Sequence, residues 1–325
     1  MNKKNLYLSA FLVCVALLFS TSTSVFAKEK TEITAISGFN MNTALTRTFE
    51  KFVEKINSDE NSPIQIKLIG GPEAMPPFQI GNAVKNGVVD MILSTGAFYS
   101  NVMPSADALK LTNYSPQQLR ETGKWPELQK IWKDEMNVHL LAFTNYNNQF
   151  HLYTNKPIES AQLDGQRLRV TPIYRSFFEA LGASVVQTAP GEVYTALERG
   201  VVDGYGWTMQ GIFDLGWQEQ TKYRIDPGFY HAEVTVMINE RKWDSLSTEQ
   251  QNYLTDNAIW LESLNDENES INKIEQKRQA ESGIEVITLQ GTERKKFLDV
   301  AKDAAWADVI KNSPNVANRI KTIIE

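Results

Sequence analysis

The 325 residues carry 33 Lys and Arg against 39 Asp and Glu, a net charge of −6, with 42 % hydrophobic residues and one cysteine. An acidic chain without a run of basic residues excludes nucleic acid as its main partner. A lone cysteine excludes a disulfide framework, so a chain of this length has to rest on one large or two modest apolar cores.

Residues 1–27 read as a removable leader. Lys3 and Lys4 make a basic start, residues 6–19 an apolar centre, and Val25-Phe26-Ala27 a cleavage site. The apolar run is short for a membrane span, although an uncleaved anchor is the other reading of the same stretch. Export to the periplasm is expected, and Cys14 would leave with the leader. The mature chain would then hold 31 basic against 39 acidic residues, net −8.

Residues 32–37 alternate as a first strand, and Gly38-Phe39-Asn40-Met41-Asn42 follow as a loop. Leu45, Phe49, Phe52 and Ile56 then recur with helical spacing. A strand–loop–helix passage turns backbone N–H groups toward a cleft, so Phe39 and Asn40 are either ligand contacts or an ordinary polar turn. Residues 64–69 form a second strand, turned by Gly70-Gly71-Pro72-Glu73, and residues 77–86 a short helix ended by Gly87.

The sequence then repeats itself. Ala83-Val84-Lys85-Asn86-Gly87-Val88-Val89-Asp90 is echoed by Ala196-Leu197-Glu198-Arg199-Gly200-Val201-Val202-Asp203. Both read as a helix end, a glycine, two β-branched residues and an aspartate. The separation is far too long for a solenoid. It implies two α/β units built around the same corner, with Ser94, Thr95 and Gly96 of one facing Tyr205, Gly206 and Trp207 of the other across a cleft.

Residues 163–207 show the second unit most clearly. Residues 168–171 are a strand stopped by Pro172; Ile173, Phe177 and Leu181 share a helical face closed by Gly182. Residues 184–187 are the next strand, Pro190 opens a helix with Val193 and Leu197, and Val201-Val202-Asp203 starts a third strand. Strand–helix–strand–helix–strand implies parallel pairing. Arg169 lies at the end of the first of these strands, where ligands of open α/β sheets bind. Guanidinium suits a carboxylate gripped at two points. The same pattern also fits a solvated face shared by Arg167 and Arg169.

Residues 138–144 form a strand, residues 145–149 carry the chain into the second half, and residues 234–239 return. Ser247 and Gln250 make a capping box. No glycine or proline interrupts residues 247–282, so one helix of roughly 50 Å at about 1.5 Å per residue is expected there. Its polar middle suits a bridge between domains. A late strand at residues 284–289 precedes a largely helical tail at residues 293–324, expected on the second half. Nothing supplies local catalytic chemistry: no Gly-x-Ser-x-Gly, no His-Glu-x-x-His, no phosphate loop. His231 and Glu233 read as a polar rim or as an acid–base pair.

The stretch Leu163-x-Gly165, Leu168-Arg169-Val170, residues 177–183 and residues 190–204 closely resembles the solute-binding subunits of tripartite ATP-independent periplasmic (TRAP) transporters, of the dicarboxylate-binding type. The resemblance implies an α/β, two-lobed periplasmic-binding-protein-like fold with a ligand cleft between lobes and a long helix bridging both. Lobe I would hold residues 28–148 plus about 239–262, and lobe II residues 149–238 plus about 263–325. It implies a receptor, not an enzyme, that delivers an organic acid to membrane permease subunits, with no cofactor. A periplasmic ligand sensor and a secreted hydrolase of a carboxylated substrate are the rival classes. The ligand site would draw on Arg169 for the carboxylate and on the Phe39-Asn40 loop, with Glu73, Ser94, Thr95, Phe229 and Tyr230 as further contacts. Gln149 stands where dicarboxylate binders have an arginine. Gly206-Trp207 stands where a related branch has Glu-Trp, and losing that glutamate removes a hard oxygen ligand, so no metal is expected. Gln149 cannot neutralise a second anion, and Gly206 would leave room, so a monocarboxylate with an apolar or aromatic body is expected. Arg47 or Arg175 could instead supply a second cation.

Overall fold

The computed structural model describes residues 30–325, and the expected leader lies outside them. The strands are β1 (Thr31–Ser37), β2 (Ile64–Gly70), β3 (Met91–Ser94), β4 (Val138–Thr144), β5 (Phe150–Thr154), β6 (Arg167–Val170), β7 (Ser184–Gln187), β8 (Gly204–Thr208), β9 (Tyr223–Asp226), β10 (Val234–Asn239) and β11 (Glu285–Thr288). They form two sheets, ordered β2-β1-β3-β10-β4 and β11-β9-β5-β8-β6-β7. In the first, β1 is parallel to β2 and β3, and β10 returns antiparallel between β3 and β4. In the second, β6 is parallel to β7 and β8, while β5 is antiparallel to β8 and β9. The chain therefore passes from one sheet to the other after β4, comes back at β10, and crosses again before β11. The helix Arg47–Ser58 buries Phe49, Phe52, Val53 and Ile56, the single apolar stripe its spacing demands.

The repeated corner is the same object twice. Gly87 and Gly200 both sit at positive φ, 74° and 64°, which glycine adopts without a Cβ penalty. Val88 N donates to Ala83 O and Val201 N to Ala196 O, each at 2.9 Å, closing each helix in a Schellman turn. The aspartates then hold the neighbouring strand. Asp90 Oδ2 accepts from Thr34 N of β1 at 2.9 Å, and Asp203 Oδ2 accepts from Arg167 N of β6 at 3.1 Å. The third strand of the second unit begins at Gly204 rather than at Val201. The Asp203 carboxylate, just before it, accepts from Arg167 and Lys156, which hold its pKa down to about 2 despite burial.

The bridge is two helices, not one. Thr248–Ser263 and Asn268–Glu281 are separated by a 3-10 turn, Leu264–Glu267. Asn side chains compete with helix backbone for hydrogen bonds, and here they bind the segment that crosses between sheets. Asn265 Nδ2 donates to Phe143 O at 3.2 Å and Asn268 Nδ2 to Tyr146 O at 2.8 Å. The Ser247–Gln250 capping box is present at the start. The first helix packs on β4, and the second reaches β9 through Gln279, which accepts from Arg224 Nη1 at 2.8 Å. Of the C-terminal helices, Gly291–Asn312 packs on Arg175–Ala180 of the second half, as expected, and the last one does not. Pro314, without an N–H, breaks Gly291–Asn312 from Pro314–Ile324, and the last helix packs on Trp125–Met136, beside the first sheet.

Glu262, in the last turn of the first bridge helix, ties the bridge to β4. Its carboxylate accepts from Arg120 Nε at 2.5 Å, Arg120 Nη2 at 3.0 Å and Phe143 N of β4 at 3.0 Å. Its side chain is 3 % exposed, and burial raises its pKa against the pull of Arg120. Removing one partner of a buried pair leaves the other charge uncompensated. Arg120→Ala should therefore lower unfolding stability by about 3–5 kcal/mol in urea titrations. A loss within the range of ordinary surface substitutions would show that this pair does not anchor the bridge.

Candidate functional site

The sheets present their strand ends to each other across two adjoining cavities. The outer one, of about 230 Å³, is walled by the loop after β1, the prolines after β2, Ala189 to Gly191 after β7, and Trp207. The inner one, of about 20 Å³, is walled by Thr95 and Phe98 after β3, by Phe150, Thr171 and Tyr174 of the second sheet, and by Glu233 at the start of β10. Phe39, Leu45 and Trp207 belong to both. Strand carboxyl ends are where open α/β sheets place ligands. The outer lining is apolar apart from Asn40 and Thr43, and among the described residues no Lys or Arg lines either cavity.

Arg169 stands directly behind that wall. It is 0 % exposed, whereas Arg167 is exposed and pairs with Asp203, so the two do not share a solvated face. Arg169 Nε and Nη2 both donate to Thr188 O, at 3.1 and 2.7 Å, and Nη1 donates to Tyr174 Oη at 2.9 Å. Three of its five N–H groups are thereby used. No carboxylate of the described residues lies within ion-pair distance, and burial pulls its ionisation down, offset by Tyr174 and by Glu192 farther off. Its guanidinium carbon is 5.9 Å from the ring centres of both Trp207 and Trp217. Trp207 is edge-on to Trp217 at 4.8 Å, and its buried Nε1 has no hydrogen-bond partner among the described residues.

Tyr174 is the residue that sequence reasoning missed. Its hydroxyl accepts from Arg169 and donates to Gly206 O at 2.7 Å. A Cβ on Gly206 would come within 2.9 Å of the Tyr174 ring. The glycine thus does not leave room for a larger ligand, as expected from sequence; Tyr174 occupies that space. The signal lay in Thr171-Pro172-Ile173-Tyr174, where a 3-10 turn at Pro172–Tyr174 folds the ring back over its own strand.

The other sequence candidates divide. Phe39, Asn40, Thr95 and Trp207 reach the cavities. Ser94 is buried one residue short of the lining, its Oγ unpartnered among the described residues. Gln149 is exposed, its side chain lying against Gly228, because β5 turns the preceding residue outward. Glu73 is exposed and closes its own turn, accepting from Gly71 N at 2.7 Å, a bond that lowers its pKa. Phe229 and Tyr230 pack in the second half's core. The Phe229 ring lies 5.0 Å from Phe177, and Tyr230 Oη donates to Ala301 O at 2.6 Å. Arg175 is engaged by Gln187 and Glu179, and Arg47 is exposed; neither lines a cavity. Among the described residues no cluster of three or more His, Cys, Asp or Glu could hold a metal ion.

Glu233 is neither a polar rim nor a partner of His231. It is 1 % exposed, and its Oε1 accepts from Thr95 Oγ1 at 2.5 Å and from Gly96 N at 3.1 Å. Burial, against those two hydrogen bonds, raises its pKa from 4.5 to about 8. Between these values the unfolded chain releases a proton that the folded chain keeps, so this group's contribution to stability falls as pH rises through the window. The slope is at most roughly 1.4 kcal/mol per pH unit. In urea unfolding, Glu233→Gln should gain stability relative to the native chain from pH 5 to pH 8 and level off above. A difference independent of pH would contradict a buried neutral carboxyl.

A family model described as bacterial extracellular solute-binding protein, family 7, matches residues 38–312. A solute-binding protein of Roseobacter denitrificans is 27 % identical over 337 residues, covering 97 % of this chain and 95 % of the relative. A TRAP periplasmic solute-binding protein from Desulfovibrio salexigens, solved with bound orotic acid, matches with a TM-score of 0.80 at 23 % identity, over 90 % of this chain and 97 % of that one. A marine metagenome TRAP solute-binding protein specific for aromatic acid ligands, from an unidentified microbe and in complex with 3-hydroxybenzoate, matches with a TM-score of 0.74 at 20 % identity, over 91 % and 98 % of the two chains.

Proposed function

We propose, from the premise that this chain belongs to the bacterial extracellular solute-binding protein family 7, that it captures an organic acid with one carboxylate and an apolar or aromatic body and hands it to TRAP permease subunits. Residues 1–27 would direct it to the periplasm and be cleaved. The observation that carries the reading is the buried guanidinium of Arg169, which no carboxylate of the described residues neutralises. A buried charge without a partner is strongly unfavourable, and a ligand carboxylate arriving between Trp207 and Tyr174 would remove that cost. Two N–H groups of Arg169 are free for it, the number a two-point grip requires.

The lining supports a single carboxylate. A second anion would need a cation besides Arg169, which stands behind the wall, and among the described residues no Lys or Arg lines either cavity. The apolar body follows from Phe39, Leu45, Trp207, Leu215 and the prolines of the outer cavity, and from Phe98, Phe150 and Tyr174 of the inner one. Orotic acid and 3-hydroxybenzoate, held by two proteins of this fold, are flat acids of the same kind. Ligand binding would favour the closed arrangement of the two halves by its differential affinity for that state.

Thermal-shift screening should rank aromatic or branched 2-keto, 2-hydroxy and aryl carboxylic acids above succinate, malate and fumarate. Losing one partner of a buried charged pair costs about 3–5 kcal/mol, which is at least roughly a hundredfold in affinity at about 1.4 kcal/mol per decade. Arg169→Ala, folded by circular dichroism, should show that loss in calorimetry, whereas chelation of divalent ions should change nothing. Normal acid binding by the folded variant would sink the assignment of Arg169. Stabilisation by C4-dicarboxylates alone would sink the monocarboxylate.

A further inference from the structure

Among the described residues Glu233 is the one ionisable carboxyl or amine side chain in the lining of either cavity, and it stands immediately before β10. Its surroundings are defined on every side. Thr95 Oγ1 and Gly96 N donate to it from the turn after β3, and Tyr99 faces it from the Gly96–Tyr99 helix, its pKa raised by its own burial and by Glu233. Asp107 and Lys110, a pair at 2.5 Å on the Pro104–Leu111 segment, act on it in opposite directions. His231, two residues before it, is stacked on Tyr146 at 4.7 Å, and burial lowers its pKa. Tyr174, whose hydroxyl accepts from Arg169, lines the same cavity. No cation lies within ion-pair distance of Glu233 among the described residues, so an ionised carboxylate here would be buried without compensation.

The neutral acid fits the geometry and leaves one group unspent. Every bond that Glu233 makes within the chain is one it accepts. With Thr95 Oγ1 and Gly96 N donating to Oε1, the proton of the neutral form is carried by Oε2. A buried O–H there, on a side chain that lines the cavity, gains free energy from a ligand acceptor. We propose that Glu233 determines specificity by donating a hydrogen bond, as the neutral acid, to a carbonyl or hydroxyl oxygen of the bound acid. This rests on the reading of the cleft as an organic-acid site. It adds a second chemical requirement to the carboxylate set against Arg169: an uncharged oxygen elsewhere on the ligand. It also gives the empty site one net positive charge, from Arg169, at neutral pH, which matches a monoanion and excludes a ligand whose second group is another carboxylate.

The consequence is proton-linked binding. With a Glu233 pKa of about 8, capture needs a proton that the site loses above that pH. Matched acids provide the test: phenylpyruvate against 3-phenylpropanoate, and 3-hydroxybenzoate against benzoate, titrated by calorimetry from pH 6 to pH 9.5. The oxygen-bearing member of the pair that binds should be favoured about tenfold at pH 7, one hydrogen bond's worth. Its affinity for the native chain should fall above pH 8 by up to tenfold per unit. Glu233→Gln keeps an N–H donor and cannot ionise, so its affinity should be flat across the range. Glu233→Leu should lose the preference between members of the pair. A flat profile for the native chain, or the same alkaline decline in Glu233→Gln, overturns the inference while leaving acid binding intact. Binding of no acid at any pH overturns it together with the reading of the site, and loss in Arg169→Ala at pH 7 separates the two groups' roles.

Discussion

A guanidinium with no counter-charge, sealed from water, is the constraint on which the second half of this molecule turns. Arg169 is held by Thr188 O on one edge and by Tyr174 Oη at its tip. Tyr174 can reach it only because Gly206 of β8 carries no Cβ, and β8 lies beside β6 in the register that pairs Arg169 with Tyr205. Trp207 then closes over the same group, edge-on to Trp217. Arg169 and Tyr174 make their hydrogen bonds to neutral partners, and Trp207 Nε1 has none among the described residues. On the proposed reading the charge is met by a ligand from the cleft, which would stabilise the folded chain by mass action as it binds.

The two halves are tied so that such an entrant can be felt by both. The same glycine corner and the same aspartate clamp build each α/β unit, Asp90 on β1 and Asp203 on β6. The chain crosses between the sheets near residues 145–149 and 227–233, and the bridge helices lie over the first crossing. Asn265 and Asn268 bind its backbone, while Glu262 binds β4 and Gln279 binds Arg224 of β9. Glu233 lies in the second crossing, immediately before β10, and is clamped to Thr95 and Gly96 of the first half. The second crossing is thereby hydrogen-bonded to the first half at the wall of the inner cavity.

Much of this was legible in the sequence wherever local chemistry decided it. Glycine at a left-handed corner, proline at the end of β6, and the echo of Gly-Val-Val-Asp gave two α/β units, and the strand-end position of Arg169 gave the candidate cation. What stayed hidden depends on partners far along the chain. The break at Leu264–Glu267 needs the carbonyls of Phe143 and Tyr146, which no local pattern reports. Gly206 reads as vacant space until the Tyr174 ring is placed against it. Phe229 and Tyr230 read as flat ligand surface and turn out to pack with Phe177 and Ala301. Glu233 carried one unused sign: an acid directly before Val-Thr-Val-Met-Ile, a strand buried throughout, has to enter the interior with it.

The central claim is that the cleft holds its occupant through one carboxylate set against Arg169. Mass spectrometry of the small molecule released when the purified protein is denatured tests this most directly. The expected molecule is an organic acid with a single carboxylate, at least one further uncharged oxygen and a flat or branched apolar body, bound one per chain. A released compound with no carboxylate, or one with two, would contradict it.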